Sequence, residues 1–308
     1  MLICSSIQLS NNLYSKWTIK NQNSELNQIS WANFTWTNGY LGDKYFEKTA
    51  MLIPCKISDI ENPVTFQFDL GCDVTGVYEN TLKSILNKNS QYLKRIKKSK
   101  TLQNSNFVLK NLGISFGDYF VENKKSYLFE KYGEIYEAIH LNDTIHIGTI
   151  GRDLFKNRVL IIDYPNMKFA ICNSIPKELN TKLINIDIDK FGRVILPMKI
   201  NGRELKILFD NGSSIFPIIT PNENISKFSS SNDIDTISCS SWREKHNVTG
   251  KIIKDTFELA GQKFHNIKVY ANHTGLGIDN KTDGMAGNKL FLDKTIIIDF
   301  RNKKFGVK

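Results

Sequence analysis

Two short turns carry the residues whose chemistry stands out. In ELKILFDNGSSIFPIIT (204–220) the apolar run Leu205 to Phe209 delivers Asp210 into the turn Asn211-Gly212-Ser213-Ser214, and a second apolar run, Ile215 to Ile219, leads away. In VTFQFDLGCDVTGVY (64–78) Asp69 follows a strand-like run in the same way, succeeded by Leu70, Gly71 and Cys72. A carboxylate set between two strands is costly unless partners satisfy it. The glycine lets another backbone come close, and a serine can donate a hydrogen bond. Where two such turns meet, their carboxylates become neighbours. Like charges a few ångströms apart do not both ionise, so the pair shares one proton. One carboxylate then acts as general base on a water while the other, protonated, polarises a carbonyl oxygen. The chemistry is acid–base hydrolysis of an amide, with no metal, cofactor or covalent intermediate.

Each residue also has a plainer reading. Asp-Asn-Gly is an ordinary turn sequence, in which Asp210 would cap its own loop. Ser213 is either a donor to the Asp210 carboxylate or part of a local serine turn. Cys72 reads as a small buried residue, because no histidine lies near it to activate a thiol.

The elements that must position the two turns occur twice. MLIPCKI (51–57) is matched by VILPMKI (194–200), and the Asp69 segment by the Asp210 segment. GRDLFKNRVLIIDYPNMKFAI (151–171) is matched by GNKLFLDKTIIIDFRNKKFGV (287–307). Twelve residues separate Gly151 from Asp163, and twelve separate Gly287 from Asp299. Asp69 precedes Gly151 by 82 residues and Asp210 precedes Gly287 by 77. Periods this long are not solenoid repeats, so the expected architecture is mainly β, two similar lobes about a pseudo-twofold axis. Asp163 and Asp299, each at a strand end before Asn166 or Asn302, read as hairpin residues. Residues 173–183 read as a linker. The lobes are then 45–175 and 184–308, preceded by a tryptophan-bearing arm, 1–44, packed on the body as a strand or arm. An amphipathic helix is expected in ENTLKSILNKNSQYLKRIKK (79–98), and short strands at 107–117 and 126–129.

Composition narrows the function classes. The chain has 308 residues, more than one typical domain, and 41% hydrophobic content. Its net charge of +10 is dispersed apart from Lys94-Arg95-Ile96-Lys97-Lys98 and Lys100. That run carries no interleaved aromatics and reads as a solvated segment, not a nucleic-acid groove. No apolar stretch is long enough to span a membrane. Five cysteines show no disulfide or zinc spacing. The start lacks a full signal peptide; Leu2-Ile3-Cys4-Ser5 resembles the tail of a bacterial lipoprotein signal, with Cys4 the lipid anchor if the start codon is misassigned, or is a plain disordered terminus. The Asn-, Lys- and Ile-rich composition suggests an AT-rich bacterial genome and, with that stretch, an exported or periplasmic protein.

From residue 48 onward the sequence resembles the aspartic-protease superfamily, pepsin-like in being doubled and retropepsin-like in the compactness of each half. FDNGSS (209–214) is similar to its Asp-Thr/Ser-Gly-Ser loop. TIG (149–151) and MAG (285–287) resemble the apolar–apolar–Gly element beneath each loop, and IIDY and IIDF its closing strands. The resemblance implies an acid-protease fold and Asp69 and Asp210 as the dyad. Gly71, Gly212, Ser213, Leu70 and Asn211 would support it. A peptide or protein substrate would lie in the inter-lobe cleft of a monomer. The family's Thr or Ser after each aspartate, which locks one loop to the other, is replaced by Leu70 and Asn211; only the asparagine can make part of that bond. A covering flap tyrosine would be Tyr119, Tyr127 or Tyr132. Two functions fit: an aspartic-type peptide hydrolase, or an inactive relative that binds an extended peptide or partner strand by β-addition.

Overall fold

The computed structural model of the protein describes residues 17–21, 29–58, 60–86, 94–98, 107–140, 142–241, 244–273 and 281–308. The first half runs β1 (Thr18–Asn21), β2 (Ala32–Asn33), β3 (Thr35–Leu41), β4 (Lys44–Ile57), β5 (Val64–Phe68) and β6 (Gly76–Tyr78). After helix α1 (Glu79–Ile85) come β7 (Ile96–Lys98), β8 (Phe107–Phe116), β9 (Tyr119–Phe129), β10 (Ile145–Ile150), β11 (Val159–Asp163) and β12 (Lys168–Cys172). The second half opens with β13 (Leu183–Asn185), β14 (Asp187–Ile188), β15 (Val194–Ile200), β16 (Arg203–Phe209), β17 (Ile218–Pro221) and β18 (Asp235–Ser241). It ends with β19 (Glu244–Ile253), β20 (Phe257–Leu259), β21 (Gln262–Phe264), β22 (Ile267–Asn272), β23 (Gly284–Ala286), β24 (Thr295–Asp299) and β25 (Lys304–Val307).

The two halves pair their strands in the same way. β5 is antiparallel to β4 and parallel to β10, which is antiparallel to β6; β16 is antiparallel to β15 and parallel to β23, which is antiparallel to β17. β6 then runs parallel to β9, as β17 does to β22. In the first half the β8–β9 pairing closes the strands into a barrel. Wholly buried runs such as VTFQF in β5 suit strands covered on both faces.

A third sheet, ordered β13-β25-β24-β11-β12-β2, joins the halves. Its central strands VLIID and TIIID are β-branched and buried, the composition a two-sided sheet favours. They pair antiparallel with Ile161 opposite Ile297. These two isoleucines hold the same position in their halves, two residues before Asp163 and Asp299, so the pseudo-twofold axis passes between them. Asp163 and Asp299 tie the hairpins that follow: Asn166 donates to Asp163, and the Arg301 and Asn302 backbones donate to Asp299.

One local expectation is corrected. The helix expected over 79–98 does not run through it: α1 is Glu79–Ile85, residues 87–93 lie outside the described ones, and Ile96–Lys98 is a strand on β8. Cross-strand pairing there overrides a helical apolar period. Before residue 45, β1 pairs with β9, β2 with β12, and β3 forms a hairpin with β4. Cys4 lies outside the described residues. No described helix is long and apolar enough to cross a membrane.

Candidate active site

Each aspartate emerges from a strand anchored on an aromatic triad. Phe68, just before Asp69, packs against Phe155 and Phe169 with ring centroids 5.4 and 5.3 Å away. Phe209, just before Asp210, packs against Phe291 and Phe305 at 5.7 and 6.0 Å. The Asp69 amide donates to the Ile150 carbonyl and the Asp210 amide to that of Ala286, both at 3.0 Å. Burying six aromatic rings fixes where both turns leave their sheets.

The turns meet. Asp210 Oδ1 accepts from its own Gly212 amide at 2.8 Å and from the Gly71 amide of the opposite loop at 3.0 Å. Asp69 Oδ1 accepts from the Cys72 amide at 3.1 Å. The two carboxyl groups are hydrogen-bonding neighbours, and both residues are buried. Only glycine fits at the crossing: a Cβ on Gly71 would collide with the Asp210 carboxyl, and one on Gly212 with that of Asp69. The Asp210 carboxyl is held well above the usual carboxylate range, first by burial and then by the Asp69 charge; the Gly212 and Gly71 amides oppose this. The pair therefore retains a proton where isolated carboxylates have lost theirs.

The lock between the loops is one-sided. Asn211 Oδ1 accepts from the Leu70 amide at 2.5 Å, and Asn211 Nδ2 lies 3.8 Å from Met51 Sδ. The Leu70 side chain is buried in the main apolar core. Of the two readings left open for Ser213, the structure shows neither: its buried hydroxyl makes no hydrogen bond to Asp210 or to any other described group. Cys72, at the equivalent place, turns its thiol to the Val74 carbonyl. Tyr119 is also excluded from covering the site, because its hydroxyl donates to the Ser30 carbonyl and accepts from the Ile171 amide. Tyr127 and Tyr132 pack beside the first loop with Cys72, Val74, Tyr78 and Phe129.

Sequence reasoning missed the residues beneath the loops. Arg152, buried just after Gly151, donates through Nη1 to the carbonyls of Leu70 (3.0 Å) and Gly71 (2.9 Å), through Nη2 to Asp73, and through Nε to the Phe191 carbonyl (2.8 Å). Its counterpart Asn288 donates to the Asn211 carbonyl at 2.6 Å and the Ser214 hydroxyl at 2.9 Å, while Tyr164 donates to Asn288 Oδ1. The sequence offered only a charge directly after a glycine already singled out. Missed too was the reach of the β3–β4 hairpin. Leu41 and Phe46 join Ile215, Phe216, Tyr270 and Met285 beside the second loop, and Lys44 Nζ donates to the Thr236 carbonyl at 3.2 Å.

The crystal structure of an aspartic proteinase from Irpex lacteus matches this chain with a TM-score of 0.51 over 91% of it and 97% of that protein. The chain has the acid-protease fold. Sequence identity across the match is 9%, so the likeness extends to the acid-protease fold and no finer. No family model matches the sequence, and no curated protein matches it either.

Proposed function

We propose that the protein is an aspartic-type peptide hydrolase. The supporting observation is the reciprocal crossing of the loops: Gly71 donates its amide to Asp210, and Gly212 packs on Asp69. Asp210, with Oδ1 occupied by two amides and its carboxyl disposed to stay protonated, is the acid; Asp69 is the base. Asp69 takes a proton from a solvent water, whose oxygen adds to the amide carbon, while the Asp210 proton passes to the carbonyl oxygen. The resulting gem-diol returns a hydroxyl proton to Asp210. Asp69 delivers its proton to the nitrogen, and the carbon–nitrogen bond breaks. Residues 45–175 and 184–308 are assigned as duplicated lobes of a monomer, with the extended peptide lying between them.

The test is hydrolysis of a mixed peptide library across pH. An acid optimum unaffected by chelators and abolished in both Asp69→Asn and Asp210→Asn is the expected result; turnover surviving either substitution removes the dyad from the chemistry. A second reading is favoured by Leu70 and by the unused Ser213 hydroxyl: an inactive cleft that binds a peptide by strand addition. Saturable peptide binding without turnover at any pH would select it.

A further inference from the structure

Arg152 borders a cavity of about 220 Å³ that the hydrolysis reading does not use. The tip of the side chain reaches the Asp69 loop, and its stem lies against Gly192 on the cavity wall. Four cationic side chains line this space, Arg152, Lys156, Lys190 and Lys303, against two aspartates. Those aspartates serve the protein's own structure. Asp189 accepts from the Phe191 and Arg193 amides at 2.9 and 3.0 Å and from Arg193 Nε at 2.7 Å. Asp153 accepts from the Trp17 indole at 2.9 Å and from the Thr75 amide and hydroxyl at 2.8 and 2.7 Å. Arg152 is matched by Asp73. The lining thus carries four cations against two carboxylates, with the three lysines exposed at the mouth.

The walls are apolar and already ordered. Phe300 stacks on Phe155 at 6.4 Å, and the Lys190 ammonium sits 4.9 Å from the centroid of the Phe191 ring. Asp189 pins the turn that carries Phe191, and Gly192 closes it at φ +82°, a conformation that favours glycine. A volume of this size is small beside the roughly 300–1,000 Å³ of sites for larger ligands. We propose that this cavity binds a small organic anion, a carboxylate or phosphate monoester carried on a ring-sized apolar body. The anionic group meets the lysines and the body meets Phe191 and Phe300.

Calorimetric titration of the full chain with phenyl phosphate and with benzoate tests this directly and needs no catalytic activity. Saturable binding of at least one probe is expected, weakened by roughly tenfold or more in Lys156→Glu/Lys303→Glu. Both lysines are surface residues, and Lys199→Glu, on the exposed side of β15, serves as the control that leaves binding unchanged. Whichever probe binds more tightly identifies the headgroup. Neither probe binding at concentrations on the order of 10 mM, or binding indifferent to the double charge reversal, overturns the site. Inorganic phosphate binding as tightly as phenyl phosphate overturns the apolar half of the assignment.

Discussion

Asn211→Leu isolates one of the two bonds that join the loops from side chain to backbone, the other being the Gly71 amide to Asp210. Leucine keeps asparagine's branched shape and heavy-atom count while being somewhat bulkier, so it opens no cavity, but it removes the acceptor of the Leu70 amide. Asn211 and Leu70 are both buried, at 0% and 2% exposure, so that amide has no water to turn to. An unsatisfied buried donor costs about 1–3 kcal/mol. The weak Met51 contact adds little, and the Asn288 bond to the Asn211 carbonyl is untouched because it uses the backbone. Asn211→Leu should therefore lower the urea unfolding free energy by about 1–3 kcal/mol. Asn211→Ala should cost more, by the cavity it leaves. If the dyad hydrolyses peptides, losing the lock should reduce kcat about tenfold for each 1.4 kcal/mol of lost alignment, with KM little changed. Asn211→Thr, which restores an acceptor, should recover part of both losses. A leucine variant as stable as the parent would show that the Leu70 amide finds another partner and that Asn211 does not hold the loops.

Three further outcomes follow from the same geometry. Arg152→Met should destabilise the fold by about 3–5 kcal/mol, because it removes the buried cation paired with the Asp73 carboxylate, and Arg152→Met/Asp73→Asn should cost less than the two single changes together; additive costs by denaturant titration would refute the pairing. The folded-state proton affinity of Asp210 is raised, so the parent loses stability as pH rises above the ordinary carboxylate value near 3.8. Asp210→Asn should then be more stable than the parent at neutral pH, with the advantage vanishing in acid; a constant difference across pH would contradict it. His146 is pushed the other way, from 6.5 to about 4, chiefly by burial. The unfolded chain therefore binds its proton first on acidification, and stability falls between about pH 6.5 and 4, by at most about 3 kcal/mol. His146→Gln should flatten that part of the stability–pH curve.

The doubled plan could be read from the chain because it rests on local, repeated signals: Phe-Asp before each turn, a glycine after it, and β-branched runs ending at Asp163 and Asp299. Those signals are nearly independent of the rest of the sequence. What stayed hidden depends on contacts between distant segments. The 79–98 stretch has the apolar spacing of a helix, yet Ile96–Lys98 is claimed by β8. Ser213 stands where either a donor to Asp210 or a local serine turn was open, but a hydroxyl's rotamer and direction are set by packing and cannot be read from its position. Tyr119 was one of three equal candidates until the Ser30 and Ile171 backbones fixed its hydroxyl. Arg152 was legible only as a charge, since its four partners come from segments some 40 to 80 residues away.

The Ile161–Ile297 seam has one more consequence. Because the strands that meet there occupy the same place in each half, a free half could meet a second copy of itself through the same register, with identical carboxylates facing one another. Joining both halves in one polypeptide lifts that obligation. One side can then carry a buried guanidinium at position 152 and the other a neutral amide at 288, one a leucine at 70 and the other an asparagine at 211. Such inequality gives the proton a preferred address, something a strictly mirrored assembly of twins must decide by chance at every encounter.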